Sequence, residues 1–296
     1  AFSVLTIPGM NLGEESAVLP VVPMFHVNAW GVPYFAPMVG AKIVFPGPKL
    51  DGESLAELIN NEGVTEAWGV PTVWLGLLGH MRKTEQKFTS LKRVLIGGSA
   101  APRAMMREFQ EKYGVEGLQG WGMTEMSPIG TVSMIRPKDA DLPLDRQFDI
   151  KAKQGRAVFG VEMKIVNDDG QALPRDGKSF GELLVRGPAI ISGYYENPEA
   201  SAKAFDSEGW FRTGDVSKID PEGYMEIVDR TKDVIKSGGE WISSIDLENE
   251  AVGHPEIAEA AVIAVHHPKW DERPLLVVVR EPDSQLDKQG VIDYLS

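Results

Sequence analysis

The chain contains no cysteine among its 296 residues. A disulfide framework, a zinc–thiolate site and a cysteine nucleophile are therefore excluded. The lack of cysteine fits a reducing compartment, so we expect a cytoplasmic protein and leave loose association with a membrane surface open. Positive charge is also scarce, with 30 Lys and Arg against 43 Asp and Glu and a net charge of −13. Such a surface repels phosphate backbones, which argues against a nucleic-acid partner.

Long apolar runs are missing as well. No stretch of the sequence approaches the roughly 20 apolar residues that a membrane-spanning helix needs, and the N-terminal residues lack the pattern of a signal peptide. The sequence contains neither a Gly-x-Ser-x-Gly elbow nor a His-Glu-x-x-His pair. Serine hydrolase and zinc hydrolase functions are therefore poorly supported, and the 43% hydrophobic content instead indicates an ordinary globular protein.

The apolar pattern predicts an α/β protein in three parts. Over residues 1–135, short apolar runs alternate with helical stretches, as in a layered α/β subdomain around a buried sheet. Residues 136–230 form short alternating runs separated by Asp- and Gly-containing turns, which predicts a β-rich, barrel-like subdomain. Residues 231–296 combine a helix opening at Ser243 with two strands, which predicts a small, mobile α+β lobe.

The clearest local unit begins with a predicted buried strand over residues 92–96. Gly97-Gly98-Ser99 follows the strand, and Pro102 opens a predicted helix that runs to Tyr113 and ends at Gly114. We expect a ledge lined by backbone where the strand ends.

Residues 119–125, Gln-Gly-Trp-Gly-Met-Thr-Glu, carry several groups that a nucleotide needs. The two glycines allow close approach of the backbone, and Trp121 can stack on a base. Thr124 can reach a phosphate, and Glu125 can bind Mg²⁺. A solvated loop with a core tryptophan is the usual alternative for a lone Gly-x-Gly. The other motifs in the chain favour the nucleotide.

Two further segments are charged. In residues 209–215, Asp215 follows a glycine and can accept hydrogen bonds from both hydroxyls of a ribose, although Gly-Asp is also common turn chemistry. Residues 228–243 form a charged crossing with a double glycine at the predicted boundary between the second and third parts. Such a segment suits a hinge, and a plain linker is the alternative.

Aromatic and apolar residues cluster over residues 22–31, which include His26 and Trp30, and Trp68 and Trp74 follow later in the chain. These residues suit a channel for an apolar substrate. Core packing is the alternative, because large apolar side chains are buried in most folds.

In this order and at these separations, the four motifs resemble the adenylate-forming superfamily of acyl-CoA synthetases, peptide-synthetase adenylation domains and beetle luciferases. The resemblance spans nearly the whole chain. Residues 22–30, 69–74, 97–102 and 237–244 look most like medium- and long-chain fatty acyl-CoA synthetases. The resemblance implies an enzyme that forms an acyl-adenylate from a fatty acid and ATP, releases pyrophosphate and passes the acyl group to coenzyme A.

The resemblance also implies roles for individual residues around ATP or AMP. Trp121 would pack on the adenine face, Thr124 would contact the phosphate as a catalytic group, and Glu125 would hold Mg²⁺ during catalysis. Asp215 and Arg230 would bind the ribose hydroxyls. The other residues expected to line the nucleotide site are Gly98, Ser99, Ala100, Gly120, Gly122 and Met123.

Further implied roles concern the C-terminal lobe and the acyl pocket. Lys232 would be the catalytic pivot about which the lobe turns between adenylation and thioester formation, and Gly239 would line the tunnel for the pantetheine arm of coenzyme A. His26 and Trp30 resemble residues that border and gate the acyl pocket. Trp241 resembles an aromatic residue that couples the position of the lobe to that gate.

Two parts of the superfamily pattern are not found in the sequence. A Ser/Thr/Gly-rich phosphate loop is expected upstream of residue 22, and a lysine that contacts the carboxylate and phosphate is expected beyond residue 296. The sequence opens with Ala1 and stops inside a predicted helix. We therefore expect a fragment with a truncated C-terminal lobe and little or no activity on its own.

Two other functions stay open. One is a ligase for a short-chain or aromatic carboxylic acid, because variable loops set the depth of the pocket. The other is a non-catalytic nucleotide-binding homologue that kept the fold. For the leading hypothesis, the expected partners are fatty acid, ATP and coenzyme A as small-molecule substrates, while the oligomeric state is open.

Overall fold

A computed structural model describes residues 1–238, 240–282 and 284–295. Within this described part the chain forms three β-sheets. Its internal contacts divide it into two compact units. The first comprises Ala1–Met163, Val185–Phe211 and Ile219–Glu226, and the second comprises Lys164–Leu184, Arg212–Lys218 and Ile227–Ser296. The division into three parts after residues 135 and 230 remains a prediction.

A seven-stranded sheet lies in the first unit. Its strands are β1 (Ala17–Val21), β2 (Lys42–Ile43), β3 (Glu66–Gly69), β4 (Arg93–Ile96), β5 (Glu116–Gly122), β6 (Ile129–Val132) and β7 (Arg156–Ala157). The order is β2-β1-β3-β4-β5-β6-β7, in which the pairs from β2 to β5 are parallel and the last two pairs are antiparallel. The predicted α/β class is confirmed, and β1 and β3 are buried along their whole length, as the apolar runs indicated.

In the described part of the chain, eight helices lie in the first unit, and several of them connect strands of the large sheet and contribute to its core. They are α1 (Phe2–Leu5), α2 (Val27–Trp30), α3 (Val32–Met38), α4 (Gly52–Asn61), α5 (Pro71–Thr84), α6 (Arg103–Tyr113), α7 (Leu144–Lys151) and α8 (Pro198–Ala204). Trp74 on α5 and Phe109 on α6 are fully buried, and their rings meet edge to face with centroids 6.3 Å apart. This contact packs α5 and α6 against each other.

The remaining elements form two four-stranded sheets and two helices. Strands β8 (Glu162–Val166), β9 (Phe180–Arg186), β10 (Phe211–Ile219) and β11 (Met225–Arg230) have the order β11-β10-β9-β8. Strands β12 (Ile235–Ser237), β13 (Glu240–Ile242), β14 (Ile257–His267) and β15 (Asp271–Arg280) form an antiparallel sheet in the second unit, with helices α9 (Ser244–Val252) and α10 (Lys288–Tyr294). The predicted β-rich region and α+β C-terminal lobe are confirmed.

The parallel strands place their carboxyl ends along one edge of the large sheet. Gly69 at the end of β3 pairs with Ile96 of β4, which in turn pairs with Gln119 of β5. In open α/β sheets, ligands bind outside the carboxyl ends of the strands. The fold therefore brings the predicted glycine ledge at residues 97–98 next to the predicted nucleotide motif of residues 119–125. Over the described residues, no helix has both the length and the apolar character needed to span a bilayer.

Candidate functional site

A cavity of about 270 Å³ lies in the first unit beside the ends of β4 and β5. The predicted site residues that line it are His26, Trp30, Gly98, Gly120, Trp121, Gly122, Met123, Thr124 and Glu125. Ser99 and Ala100 are exposed and are not among its lining residues. The cavity thus joins the predicted acyl-pocket residues and most of the predicted nucleotide residues of this unit in one space.

Val27 and Trp68, which belong to the predicted apolar channel, also line the cavity, as does Gly97 of the predicted ledge, whereas Leu95, Pro128 and Ile129 were not predicted to line a site. Gly97 is the most informative of them. A Cβ atom at this position would lie 3.0 Å from Cη2 of Trp30 and 3.2 Å from the carbonyl oxygen of Gly120. The absence of a side chain therefore lets the Trp30 ring rest against the end of the sheet. The glycine pair after β4 was a usable signal, whereas the apolar residues cannot be told from core by sequence.

His26 and Trp30 are held by an unusual turn. Residues Val27–Trp30, assigned to α2, have φ values of 46°, 52°, 49° and 55°, so this turn is left-handed. Left-handed backbone costs about 1–2 kcal/mol for each such L-residue. The Asn28 side chain donates a hydrogen bond to the Tyr34 hydroxyl at 2.9 Å, which supports the turn. Strain of this kind persists only where the surrounding structure imposes it, and here it shapes the cavity wall.

Trp121 is 9% exposed and has a glycine opposite its ring. A Cβ atom at Gly130 would lie 2.6 Å from both Cζ3 of Trp121 and Cε of Met126. The antiparallel strand β6 thus leaves room for the indole where β5 reaches the cavity. This packing holds the ring in place at the wall, as a surface for stacking a base requires.

Glu125 has two partners from a later segment of the chain. Its carboxylate accepts a hydrogen bond from the Tyr194 hydroxyl at 3.0 Å, and its carbonyl oxygen accepts one from the Ile191 amide at 2.9 Å. Burial and the neighbouring carboxylate raise the pKa of Tyr194 above its ordinary value, so the hydroxyl remains a donor at neutral pH. Sequence reasoning missed Tyr194, which is 69 residues from Glu125.

The cavity has a donor set that fits Mg²⁺ bound together with a nucleotide. Glu125 is the carboxylate at the cavity wall, beside the Thr124 hydroxyl. In residues 1–238, 240–282 and 284–295, no three His, Asp or Glu side chains gather as a metal site. Mg²⁺ is commonly held by one or two carboxylates plus substrate phosphates and water. A single carboxylate here therefore suits a magnesium ion that arrives with ATP.

The predicted ribose-binding residues meet in the second unit. Arg230 Nη1 lies 2.7 Å from Oδ1 of Asp215, whose residue is 2% exposed. The Asp215 amide donates to the Thr213 hydroxyl at 3.1 Å, and that hydroxyl donates to the Leu183 carbonyl oxygen at 2.8 Å. The Thr-Gly-Asp turn is therefore anchored to the neighbouring strand, and it holds the carboxylate in a fixed place.

The residues predicted to serve the lobe are also in the second unit. The Lys232 side chain is 82% exposed, and its Nζ atom lies 4.0 Å from the Asp233 carboxylate. The Trp241 ring packs near Phe180, with centroids 6.3 Å apart, and Lys236 Nζ lies 4.5 Å from its centroid. Gly239 lies outside the described residues. The pivot, tunnel and coupling roles remain predictions.

Hydrogen bonds around Asp229 connect the two ends of the charged crossing. One oxygen of its buried carboxylate accepts from the Ser244 amide and hydroxyl at 2.7 and 2.8 Å, and the other accepts from the Arg230 amide at 2.7 Å. Ser243 donates to the Val228 carbonyl oxygen at 2.8 Å and also caps α9. These bonds tie the end of β11 to the start of α9.

A largely parallel sheet with an aromatic- and glycine-lined cavity at the carboxyl ends of its strands is typical of a ligand-binding α/β protein. The model of the AMP-binding enzyme family matches residues 2–195, and the model of the AMP-binding enzyme C-terminal domain matches residues 246–296. The chain belongs to the AMP-binding enzyme family.

Named relatives agree with this assignment. The chain is 53% identical to a medium-chain-fatty-acid–CoA ligase of Ectopseudomonas oleovorans, over 97% of this chain and 52% of that protein. It is 56% identical to a 3-methylmercaptopropionyl-CoA ligase of Ruegeria lacuscaerulensis, over 94% and 51%. An o-succinylbenzoate coenzyme A synthetase from Bacillus subtilis in complex with AMP superposes with a TM-score of 0.80 at 26% identity, over 99% and 56%. The chain spans about half the length of the curated relatives it matches.

Proposed function

We propose that the whole protein is an ATP-dependent, AMP-forming fatty acid–CoA ligase. A carboxylate oxygen of the acid attacks the α-phosphorus of ATP and displaces pyrophosphate, and the thiol of coenzyme A then displaces AMP to give the thioester. The observation that carries the proposal is a single cavity that is lined both by Trp30 and by residues 120–125 at and after the end of β5. Identity of 53% to a named fatty acid ligase supports it.

The chemistry asks the protein mainly to align two anions and to balance charge. Trp121 offers its ring to the adenine, and the Thr124 hydroxyl can donate to a phosphate oxygen. Glu125 would hold Mg²⁺, which supplies positive charge to the phosphates as pyrophosphate leaves. Asp215 and Arg230 would bind the ribose hydroxyls, because an anionic carboxylate accepts from two hydroxyls at once.

The acid and coenzyme A complete the proposal. Trp30 and His26 would border the acyl chain, since both residues line the cavity. Lys232 would be the pivot of the lobe that begins at residue 231, with Gly239 and Trp241 on the coenzyme A side. The lack of cysteine supports a cytoplasmic location as part of the same proposal.

The test is magnesium-dependent release of pyrophosphate from the intact protein, with ATP and a ladder of fatty acids. Wild type is compared with Glu125→Ala and Asp215→Ala. We expect release that requires an acid, peaks at one chain length and falls in both variants. A folded intact protein that releases no pyrophosphate with any carboxylic acid would leave only nucleotide binding or scaffolding.

A ligase for a short-chain acid is the second candidate. It is favoured by the 56% identity to a relative named for 3-methylmercaptopropionate. The same ladder discriminates the two when it includes that thioether acid, butyrate and benzoate. A maximum of kcat/KM at a short or aromatic acid would replace the fatty acid with that substrate class and keep the reaction.

A further inference from the structure

Three hydrogen bonds join the turn that carries Glu125 to residues 189–194. The Ser127 hydroxyl donates to the Ala189 carbonyl oxygen at 2.9 Å, and the Ile191 amide donates to the Glu125 carbonyl oxygen at 2.9 Å. The third contact is the Tyr194 hydroxyl on Glu125 Oε1 at 3.0 Å. The first two hold Ser127 and the main-chain carbonyl of Glu125, and the third holds the Glu125 side chain.

Tyr194 is itself well anchored. Its amide donates to the Ser201 hydroxyl at 2.8 Å, and that hydroxyl donates to the Asn197 carbonyl oxygen at 2.8 Å. The Asn197 side chain caps α8 by accepting from the Ala200 amide at 3.0 Å. A tyrosine has few rotatable bonds, so an anchored main chain places its hydroxyl with little loss of entropy. Tyr194 can therefore restrain a more flexible glutamate.

A glutamate at the cavity wall needs such a restraint. Glu125 is partly exposed, and ordering a long polar side chain costs free energy in lost rotamers. A donor on one carboxylate oxygen limits the orientations in which the group meets a ligand. The next residue, Tyr195, is 90% exposed and makes no such contact.

We infer that Tyr194 is a positioning residue for Glu125, and that its hydroxyl holds the carboxylate in the orientation that receives magnesium–ATP. The claim that this orientation favours the reaction rests on the proposed function. The restraint itself is a property of the protein without ligand, so it can be tested separately.

The first test needs no activity. Hydrogen–deuterium exchange of the intact protein, without nucleotide or metal, is compared for wild type, Tyr194→Phe and Tyr195→Phe. We expect faster exchange in peptides covering residues 123–127 for Tyr194→Phe alone, because the turn around Glu125 has then lost one of its three hydrogen bonds to residues 189–194. Unchanged exchange in Tyr194→Phe would overturn the restraint, whatever the protein's reaction.

The second test measures magnesium–ATP binding by calorimetry in the same variants and in Glu125→Ala with and without Tyr194→Phe. We expect Tyr194→Phe to weaken binding by roughly three- to tenfold, as the loss of one hydrogen bond implies, and Tyr195→Phe to have no effect. On the Glu125→Ala background, Tyr194→Phe should add nothing. A further loss on that background would show that Tyr194 acts elsewhere and would overturn the inference. If the exchange result holds but no pyrophosphate is released with any acid, the proposed function fails and the restraint stands.

Discussion

Arg230 extends a largely exposed guanidinium, with 57% of its side chain accessible, to an Asp215 side chain that is only 3% exposed. Arg230 Nη1 lies 2.7 Å from Asp215 Oδ1, so the buried carboxylate is paired with a cation. An ionised carboxylate at this place accepts hydrogen bonds and cannot donate them. This pairing supports the proposal that Asp215 binds the hydroxyl groups of a ribose.

The proposed role of Asp215 in ribose binding can be tested by changing the protein in one experiment and the nucleotide in another. Asp215→Asn keeps the shape of the side chain and removes its charge, so we expect the KM for ATP to rise about tenfold or more. For wild type, 2′-deoxy-ATP should show a similar loss, and the variant should no longer distinguish it from ATP. Steady-state kinetics of the intact protein measure both. A variant that still prefers ATP over 2′-deoxy-ATP as strongly as wild type would show that Asp215 does not bind the 2′-hydroxyl.

Elements with local signals could be predicted from the sequence. The predicted strand of residues 92–96 is β4, and the predicted helix of residues 102–113 is α6, which ends at Gly114 with φ of 67°. An apolar run, a proline and a glycine mark these elements within the segment itself. The cavity at the end of β4 follows from the same signals, because the parallel order places that end at the sheet edge.

Other parts of the site have no local signal. The left-handed φ values of Val27–Trp30 run against the preference of β-branched and aromatic residues, so only the surrounding packing can impose them. The hydrogen bond from Tyr194 to Glu125 joins residues far apart in sequence, and the residues around either one do not indicate the contact. Both depend on tertiary structure, which periodicity and spacing do not encode.

The close approach of Gly97 and Trp30 predicts the effect of a methyl group. Gly97→Ala would place Cβ 3.0 Å from the indole and 3.2 Å from the Gly120 carbonyl oxygen, so the ring must shift. Overpacking of this kind costs about 1–3 kcal/mol, and we expect kcat/KM for the preferred acid to fall roughly tenfold. Gly79→Ala on α5 is the control, since a Cβ there meets nothing within 4 Å. If Gly97→Ala had the same kcat/KM as wild type for every acid in the series, Trp30 would not line the acyl pocket.

The buried hydrogen bonds of Asp229 predict a loss of stability. Asp229→Ala leaves the amides of Ser244 and Arg230 without their acceptor, and the buried Ser244 amide alone should cost about 1–3 kcal/mol. Ser244→Ala removes only the hydroxyl and should cost about 1 kcal/mol. Denaturant unfolding measures both. Equal stability of the two variants would mean that the carboxylate does not serve the two backbone amides.

Glu66 predicts a pH dependence of stability. It is 4% exposed, and both of its oxygens lie within 3.2 Å of Arg93 Nη1. Burial outweighs the attraction of Arg93 and raises the pKa of Glu66 from its ordinary 4.5 to about 7. The folded state thus holds this proton more tightly than the unfolded state, so the contribution is complete below about pH 4.5 and is lost as the pH rises towards 7.

Glu66→Gln cannot ionise, so this pH dependence should vanish in the variant. Between pH 5 and pH 8 we expect the unfolding free energy of wild type to fall relative to Glu66→Gln, by at most about 3 kcal/mol. Denaturant unfolding at several pH values gives the difference directly. Glu62→Gln is the control, because its side chain is 45% exposed and pairs with Lys42 on the surface. If the curves of wild type and Glu66→Gln run parallel across this range, Arg93 holds Glu66 ionised throughout, and the paired charges outweigh the cost of their burial.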